Sequence, residues 1–552
     1  MVDEAQARNG AELLVRSLEA QGVEYIFGIP GGAVLPILDV LADRGPKYIV
    51  CRHESAAAFM AQAWGRITGK PGVVMTTSGP GLINVVCGVA TATEDRDPLV
   101  VITGQVPRGA RFKEAHMNVD AVGLFTPITK WSIEVSVPDT IPEIVANAFR
   151  IAARSRQGAV HISMPSDVSK APVKAQVLPA AEAPRQGAAP AEALDRAAAL
   201  LNGAKRPVIL LGVGASMPAA AAAVRRLMRG HRAPVIGTFE AAGVVPRDLT
   251  DRFVGRVGYV RNQPGDLVLE KADVVLTVGY DTIEYDPAEW HRTARTIHLD
   301  DNPAGIDRAY VPAVELVGDV AANLDALSAR LSLSEGEGWA DVKAAQKMIV
   351  DEQARGATLS GMPVHPLRFI HDLRATIGDD VTVTCDVGAH EIWMARYFFC
   401  HEPRRLLFSM GHQTMGVALP WAIGAALARP GEKVVSVSGD GSFMMTCMAL
   451  ETACRLKLPI VHVIWRDGSY GLIQALQARE YGRTFGATFA DPDFVKLGEA
   501  MGATAFRIGK ADEIVPVLKK ALSLGTPALI DMPVDYRDNA KLVATVDASV
   551  MH

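Results

Sequence analysis

The stretch GDGSFMMTCMALETACRLKLPIVHVIW, residues 439–465, decides the fold of this sequence, and Asp467 lies two residues beyond it. It has the pattern of a tight turn, a helix and a buried strand. The apolar segment KVVSVS at residues 433–438 precedes it as another strand, so Asp440 follows one strand and Asp467 follows the next. Because neighbouring strands of a parallel sheet end at the same edge, where ligands bind, the stretch predicts an α/β fold with a ligand site at that edge.

This edge has the chemistry of a phosphate-and-metal site. Two converging carboxylates suit a hard cation such as Mg2+ that is shared with phosphate oxygens. Gly439 and Gly441 let the backbone approach a phosphate, and Ser442 is a candidate cap of the following helix. A single Gly-Asp-Gly is usually only a turn, since both residue types favour turns. The spacing of Asp440 and Asp467, with strand, turn, helix and strand in order, favours the phosphate-and-metal interpretation.

Length and composition restrict the class of protein. A chain of 552 residues is expected to hold about three domains of roughly 150–200 residues each. The 49% hydrophobic and 21% charged residues are typical of a globular protein with an ample core. A net charge of −5 argues against nucleic acid or an anionic membrane as a partner. The amino terminus has no signal-peptide pattern, and no apolar run reaches the ~20 residues of a membrane span.

The cysteines are scattered along the chain without the Cys-x-x-Cys spacing of a metal or redox site. Several occur in apolar strand or helix patterns, where a reduced, buried cysteine is the usual state. These features predict a soluble protein of a reducing compartment, most simply the cytoplasm. The six positions are Cys51, Cys87, Cys385, Cys400, Cys447 and Cys454.

Alternating apolar strands and amphipathic helices predict three α/β domains, each a doubly wound parallel sheet. The first covers residues 1–175, the second 190–335 and the third 361–540. An Ala/Pro-rich linker at 177–194 separates the first two, and a polar, strand-free segment at 332–360 separates the last two. Candidate helices of the first domain are 33–42, 54–68 and 82–93.

Three turns of the first domain each follow an apolar strand, so we expect them at one edge of its sheet. They are Gly28–Gly32 (GIPGG), His53-Glu54 and Ser78–Gly81 (SGPG). Together they form a cleft that holds one carboxylate, Glu54. Taken by itself, a glutamate in a first helical turn is better explained by its favourable charge beside the helix dipole.

The motifs FGIPGG, RHE, TSGPG, GDGS and the Asp467 loop, in that order, resemble the thiamine-diphosphate-dependent enzymes of the acetolactate synthase and pyruvate oxidase group. The resemblance covers nearly the whole chain and is closest to the FAD-independent, catabolic acetolactate synthases. It implies a pyrimidine-binding first domain, a central domain and a diphosphate- and Mg-binding third domain. The stretches that carry it further include TVTCDVGAHEIWMARYF, QTMGVALPWAIGAAL, LETACRLKLPIVHVIW, DTIEYDP, IHLDDNPAGIDRAY and PVDYRDN.

The resemblance assigns roles to individual residues. Glu54 would hydrogen-bond the aminopyrimidine ring of thiamine, which reverses its interpretation as a helix charge. Asp440, Asp467 and the carbonyl group of Ser469 would hold Mg2+, and Met415 would support the bent cofactor. Further cofactor contacts would come from Pro30, Gly31, Gly81, Asn84, Gly388, Ala389, His390, Gly439, Gly441, Ser442, Gly471, Leu472 and Ile473.

The activity implied is that of an acetolactate synthase-type carboligase, a transferase of class EC 2.2.1.6. Pyruvate is decarboxylated on thiamine diphosphate, and the enamine condenses with a second 2-oxo acid. An alternative is a 2-oxo acid decarboxylase or carboligase with a different, bulkier substrate; a non-catalytic relative is disfavoured because Glu54 is present. The family also implies a homodimer or homotetramer in which Glu54 of one chain serves cofactor held by another.

Two positions depart from the family pattern in the expected substrate pocket. Met117, after His116, stands where the family has a glutamine, and Leu476 stands where it has a second one. Gln413 matches a third glutamine and is retained. Each lost amide removes hydrogen bonds worth about 1 kcal/mol or more when buried. The pocket is therefore expected to be more apolar and to accept a donor or acceptor larger than pyruvate, with His116 and His412 as candidate replacements for the lost donors.

The central domain is expected to bind no FAD. Its Gly212-Val213-Gly214 turn is an incomplete glycine signature, which is weak support for a dinucleotide. Relatives that bind FAD have an arginine- and aspartate-rich turn where this chain has Gly279–Tyr285.

Overall fold

The computed structural model describes residues 6–181 and 186–544. Three six-stranded sheets dominate it, and every strand pair within them is parallel. Helices flank each sheet, which confirms the prediction of three parallel-sheet α/β domains. The Ala/Pro-rich linker carries no helix or strand at 177–181 or 186–190, and its residues 182–185 lie outside the described parts.

The first sheet has the strand order β2-β1-β3-β4-β6-β5. Its strands are β1 Tyr25–Gly28, β2 Lys47–Val50, β3 Gly72–Thr76, β4 Leu99–Gln105, β5 Trp131–Glu134 and β6 Ala159–Pro165. The helices of this region are α1 Gly10–Ala20, α2 Leu35–Asp43, α3 Glu54–Thr68, α4 Pro80–Asn84, α5 Val86–Glu94, α6 Ala121–Phe125, α7 Ile141–Ala153 and α8 Ser166–Lys170.

The second sheet has the order β12-β11-β10-β7-β8-β9. Its strands are β7 Pro207–Leu211, β8 Val235–Thr238, β9 Phe253–Val257, β10 Val274–Val278, β11 Arg295–Asp300 and β12 Val314–Val317. The helices here are α9 Ala191–Asn202, α10 Pro218–Gly230, α11 Pro264–Glu270, α12 Pro287–Trp290 and α13 Val320–Ser328. The strand-free segment 332–360 is largely one helix, α14 Trp339–Arg355.

The third sheet has the order β14-β13-β15-β16-β18-β17. Its strands are β13 Thr382–Cys385, β14 Leu406–Leu407, β15 Val434–Gly439, β16 Ile460–Arg466, β17 Thr504–Arg507 and β18 Ala528–Pro533. The helices are α15 Pro366–Thr376, α16 Ala389–Tyr397, α17 Ala418–Ala428, α18 Asp440–Thr446, α19 Ala449–Arg455, α20 Gly471–Tyr481, α21 Phe494–Ala500, α22 Ile514–Ser523 and α23 Asn539–Val543.

Strand β6 is fully buried although its sequence, AVHISMP, contains a histidine and a serine. His161 bridges two neighbouring strands, with Nε2 2.8 Å from the Thr103 hydroxyl and Nδ1 2.9 Å from the Ser132 hydroxyl. These two hydrogen bonds satisfy both ring nitrogens inside the sheet, which is what allows a polar side chain to be buried there. Burial lowers the pKa of His161 to about 3, so the ring is neutral in the folded protein at pH 7.

The chain divides into two compact units that do not follow its linear order. One consists of the described part of Met1–Pro184 with Gly411–Gly431 and Thr446–Leu458. The other consists of the described part of Arg185–Met410 with Glu432–Met445 and the described part of Pro459–His552.

Within the first unit, helix α17 packs directly on α3. A Cβ atom on Gly424 would lie 2.2 Å from the Met60 carbonyl oxygen, so the helices approach at a point where only glycine fits. The Trp421 indole donates to Gln62 Oε1 at 3.1 Å. The Arg66 guanidinium lies over the same indole, 4.6 Å from its ring centre. Residues distant in sequence therefore help to hold α3 and the turn that precedes it.

All six cysteines lie in described parts of the chain and none forms a disulfide. In residues 6–181 and 186–544, no helix is both long and apolar enough for a membrane crossing.

Acid is expected to destabilise the fold through His161. Its folded pKa of about 3 lies below the unfolded value of about 6.5, so below that value the unfolded chain takes up a proton that the folded chain refuses. The free energy of unfolding should therefore fall by about 1.4 kcal/mol per pH unit for this group as the pH drops from 6.5 towards 3. Urea unfolding between pH 7 and pH 5 should show a shallower pH slope in His161→Gln than in the unmodified protein.

The matched control is His412→Gln, because that side chain is exposed. It should keep the slope of the unmodified protein. An identical slope in His161→Gln would contradict the role given to this buried ring.

Candidate active site

Glu54 lies at the carboxyl edge of the first sheet. It is the first residue of α3, directly after the short loop that follows β2, and the His53 ring caps the helix by accepting the Ser55 N–H at 3.2 Å. Its side chain is buried, with 8% of its surface exposed. The Asn84 amide donates to Glu54 Oε2 at 3.1 Å, and the Ser55 hydroxyl donates to the Asn84 carbonyl at 2.5 Å. These contacts fix the direction of the carboxylate.

The Ser78–Gly81 turn packs around the same carboxylate. Gly79 has φ +61° and ψ −120°, a conformation that other residues avoid. A Cβ atom on Gly79 would lie 3.0 Å from the Cβ atom of Met117, so the half-buried Met117 covers this turn. A Cβ atom on Gly81 would lie 3.5 Å from Glu54 Oε1. His116, next to Met117, is exposed.

The turn after β1 contacts the turn after β3. A Cβ atom on Gly31 would lie 2.5 Å from the Cβ atom of Thr77, and the Ala33 N–H reaches the Thr77 hydroxyl at 3.4 Å. Pro30 beside it is exposed. The structure therefore brings the three predicted turns of the first domain together around one carboxylate.

Gln413 and Met415 belong to the first compact unit. The Gly411 N–H donates to Asp95 Oδ1 at 2.9 Å, and the Thr414 hydroxyl lies 2.8 Å from the Thr91 hydroxyl. Gln413 has φ +52°, which is uncommon for a residue with a side chain. The segment is thus anchored on both sides of Gln413, and both Gln413 and Met415 are half-buried.

Asp440 lies at the carboxyl edge of the third sheet, where it belongs to a second group of predicted site residues. We call this group and the group around Glu54 the two half-sites. Asp440 is 1% exposed and directly follows β15. Its carboxylate accepts the N–H of Gly441 at 2.9 Å and that of Gly468 at 2.7 Å. The Asp467 N–H lies 3.2 Å from the same carboxylate. Asp440 therefore links the two adjacent strand ends, as the sequence predicted.

The prediction that Ser442 caps the helix is wrong. Helix α18 begins at Asp440, without an intervening turn, so Ser442 lies inside it. Its hydroxyl donates to the Val387 carbonyl at 3.2 Å and fastens the helix to the loop after β13.

Asp467 lies close enough to Asp440 to sense its charge. Burial is the main cause that raises the pKa of Asp467 to about 6, the Asp440 carboxylate adds to this, and the Ser469 hydroxyl, 2.6 Å from Asp467 Oδ2, opposes it. Burial likewise raises the pKa of Asp440. Two half-buried or buried carboxylates that repel each other form a donor set that fits a divalent cation.

Among the described residues, no group of three or more His, Cys, Asp or Glu side chains is placed to hold a metal. The pair Asp440 and Asp467 with the Ser469 carbonyl stays a predicted ligand set of smaller size. Such a set suits Mg2+, which usually keeps few protein ligands and takes substrate phosphate oxygens as the others.

His390 packs against Gly388 and Gly439 in this half-site. The Gly439 N–H lies 3.3 Å from His390 Nε2, and a Cβ atom on Gly388, whose φ is +149°, would lie 2.7 Å from His390 Cε1. Burial lowers the pKa of His390 to about 3, so the ring is neutral and accepts a hydrogen bond at Nε2. Ala389 is buried at the start of α16.

Helix α20 carries the remaining predicted residues. A Cβ atom on Gly471 would lie 2.9 Å from Asp467 Oδ2, so glycine is needed for the close approach. Leu472 and Leu476, one helical turn apart, pack partly buried against the core of the third domain. Ile473 is exposed. The part of Leu476 in a substrate pocket stays a prediction.

Two aromatic residues of this half-site were not predicted. Tyr470 packs against Gly441, where a Cβ atom would lie 2.7 Å from its ring. The ring of Tyr536 lies 3.3 Å from the corresponding position on Gly471, and its hydroxyl is buried without a protein partner. Tyr536 belongs to the PVDYRDN stretch, which carried the resemblance without indicating a role for any residue in it.

Comparison with known proteins agrees with this geometry. Residues 8–124 match the family model of the thiamine pyrophosphate enzyme N-terminal TPP binding domain, residues 194–327 the central domain, and residues 386–532 the C-terminal TPP binding domain. Both half-sites lie within the matched ends of the chain. The fold and site thus define a thiamine pyrophosphate enzyme.

Full-length relatives narrow the class. An acetolactate synthase of Bacillus subtilis (strain 168) is 48% identical over 542 residues, 97% of this chain and 95% of the relative. A catabolic acetolactate synthase of Raoultella terrigena is 43% identical over 554 residues, 99% of this chain and 98% of the relative. The acetolactate synthase isozyme 2 large subunit of Escherichia coli (strain K12) is 32% identical over 536 residues, 96% of each chain. The chain belongs to the acetolactate synthase family.

Gly79→Ala is expected to lower the free energy of unfolding by about 2 kcal/mol or more. The methyl group is strained at φ +61° and meets Met117 at 3.0 Å. Urea unfolding measures the change. Gly69→Ala is the matched control, because its φ is +74° with no atom within 4 Å of the new methyl group. Equal losses in the two variants would contradict the packing of Met117 on this turn.

Proposed function

We propose that this chain is a thiamine-diphosphate-dependent acetolactate synthase. It decarboxylates pyruvate and joins the remaining two-carbon unit to a second 2-oxo acid. The observation that carries the proposal is the pair of half-sites, a buried Glu54 held by Asn84 and the Asp440–Asp467 carboxylates that share one sheet edge. Similarity to acetolactate synthases over nearly the whole chain supports the same conclusion.

The residues at the third sheet would hold the diphosphate through Mg2+. Asp440, Asp467 and the Ser469 carbonyl are the proposed metal ligands. Gly388 and Gly439–Gly441 are the proposed contacts to the diphosphate. Bound thiamine diphosphate supplies a carbon nucleophile for the 2-oxo group and an electron sink for loss of CO2. The protein contributes binding, orientation and control of protons.

Glu54 is the proposed proton-handling residue. Its burial removes competing water, so a hydrogen bond from its carboxyl group to a ring nitrogen is stronger than it would be in solvent. Asn84 donates to one oxygen and thereby directs the other, Oε1, towards the Gly81 side of the cleft. Gln413 and His116 are proposed to orient the 2-oxo acid.

Exposed apolar side chains flank both half-sites, and they support an assembly of several subunits. In the first domain, Leu35, after the Gly28–Gly32 turn, is 58% exposed, and Ile83, next to Asn84, is 52% exposed. Beyond Asp440, Met444 is 43% and Met445 45% exposed. Apolar side chains concentrated around a site usually mark a surface that another chain covers. We therefore propose a homodimer or homotetramer in which Glu54 of one chain completes the site of its partner.

The substrate pocket is proposed to be more apolar than the family pattern. Met117 covers the Gly79 turn, and Leu476 lies on the first turns of α20 after the metal loop. A site that lacks two amide groups holds a carboxylate or carbonyl less tightly and accepts bulkier apolar groups more readily. A decarboxylase or carboligase for a bulkier 2-oxo acid is therefore the second candidate.

Two further proposals concern the cofactor content of the central domain and the compartment of the protein. The central domain is proposed to work without FAD, because the turn Gly279–Tyr285 lacks the arginine-rich pattern of the flavin-binding relatives. The unpaired, mostly buried or half-buried cysteines support a reducing compartment, for which we propose the cytoplasm.

Incubation with pyruvate, thiamine diphosphate and Mg2+, but no FAD, should yield CO2 and acetolactate. Glu54→Gln should lower the rate at least 100-fold, because the amide cannot exchange a proton with the cofactor ring. Proton exchange at the thiazolium C2 atom, followed by NMR, should fall to a similar extent. Cys87→Ser, an exposed residue of the same edge, is the control and should keep full activity. Full activity in Glu54→Gln would sink the assignment, and release of acetaldehyde alone would favour the second candidate.

A panel of 2-oxo acids tests the substrate pocket. Met117→Gln and Leu476→Gln should each raise the preference for pyruvate over 2-oxo acids with larger side chains, by roughly fivefold or more in the ratio of kcat/KM values. Ala478→Gln, on the exposed side of α20, should leave that ratio unchanged. Unchanged ratios in both pocket variants would remove Met117 and Leu476 from the pocket.

A further inference from the structure

The central domain contains a crevice of the kind that binds nucleotides. Strand β7 pairs with β8 on one side and with β10 on the other. The chain continues from β7 to β8 and β9, and then crosses to β10, so the strand order reverses between β7 and β10. Ligands of doubly wound sheets bind at the carboxyl ends of the strands at such a point. The two turns there are Gly212–Gly214 and the segment that begins at Gly279.

The side chain of Glu284 fills this crevice and is only 2% exposed. Its oxygens accept the Val213 N–H at 2.9 and 3.0 Å, the Asp281 N–H at 3.1 Å and the Thr238 hydroxyl at 2.5 Å. A Cβ atom on Gly212 would lie 2.7 Å from Glu284 Oε1. The glycine turn thus makes room for a carboxyl group from the same chain.

The partners of Glu284 are those that a glycine-rich turn offers to a phosphate. Burial raises the pKa of Glu284 to about 8, while Thr238 and the N–H groups of Val213 and Asp281 oppose the rise. Backbone N–H groups and a hydroxyl are the usual donors to phosphate oxygens at such turns. The turns themselves are packed together, since the Gly214 N–H donates to the Gly279 carbonyl at 2.8 Å.

We propose that the Glu284 carboxyl group takes the place of a phosphate group in the central-domain crevice and thereby excludes dinucleotides from it. The inference deepens the FAD-free part of the proposed function and rests on it. Without this side chain, the crevice should accept a phosphate ester such as the ADP half of a dinucleotide. Glu284 is therefore a residue that determines cofactor specificity in a domain remote in sequence from both half-sites.

Glu284→Ala should convert the crevice into a phosphate site. The test uses enzyme saturated with thiamine diphosphate and Mg2+, so that neither probe can enter the cofactor site. Calorimetry should detect saturable binding of inorganic phosphate and of ADP by Glu284→Ala. The unmodified protein and Glu284→Gln, in which an amide of the same size fills the crevice, should bind neither. A folded Glu284→Ala that binds no phosphate overturns the proposal, and phosphate binding without ADP binding overturns the dinucleotide assignment.

If Glu284→Ala does not fold, Glu284→Gln tests whether the crevice needs a carboxyl group. Its amide group faces N–H donors with an N–H of its own, so the melting temperature should fall by roughly 3–8 °C. An unchanged melting temperature would show that no carboxyl group is needed there. Acetolactate formation without FAD, measured in parallel, should persist in Glu284→Gln. If the unmodified protein forms no acetolactate, that result counts against the proposed function. The binding measurements on Glu284→Ala then still test the role of Glu284.

Discussion

A parallel sheet brings the carboxyl ends of all its strands to one edge, and the chemistry of this protein depends on that constraint. Each of the three sheets presents a buried or half-buried carboxyl group there, next to glycine turns that let the backbone come close. The groups that surround each carboxyl group differ. Glu54 receives one amide hydrogen bond, at Oε2, and its other oxygen is the one proposed to meet a ligand. Asp440 and Asp467 repel each other and suit a cation. Glu284 has its donors supplied by its own domain.

The position of the Asp440–Asp467 pair could be predicted because both neighbouring strands are plain apolar runs. Strand β15 and strand β16 are adjacent in the sheet, so Asp440 and Asp467 meet at its edge. The error at Ser442 arose because β15 continues straight into α18, and no sequence signal distinguishes a turn from a helix that starts one residue after a strand. The importance of Glu54 came from the resemblance, since a helix charge explains its position equally well.

Other elements had no clear pattern to find. Strand β6 is hard to recognise from the sequence because His161 and Ser163 interrupt the apolar run. Its burial depends on hydrogen-bond partners in two other strands. Strands β5 and β17 lie at sheet edges, where β5 is half-buried and both ends of β17 are exposed, so they lack a continuous apolar signal. The apolar character of α17 predicts burial on all sides but not its partner, because Gln62 and Arg66 are more than three hundred residues away. The proposed boundaries 1–175, 190–335 and 361–540 stay predictions.

The packing of α17 on α3 bears on how this enzyme could be divided or recombined. The first compact unit is assembled from three separate stretches of the chain, and the third-domain sequence supplies two of them. A gene fragment that ends near residue 175 would encode α3 without Trp421 and Gly424, the residues of α17 that pack on it. Exchange of whole domains between homologous enzymes would separate Trp421 from Gln62 unless both came from the same parent. Recombinants should therefore take Gly411–Gly431 and Thr446–Leu458 from the parent that supplies the first domain.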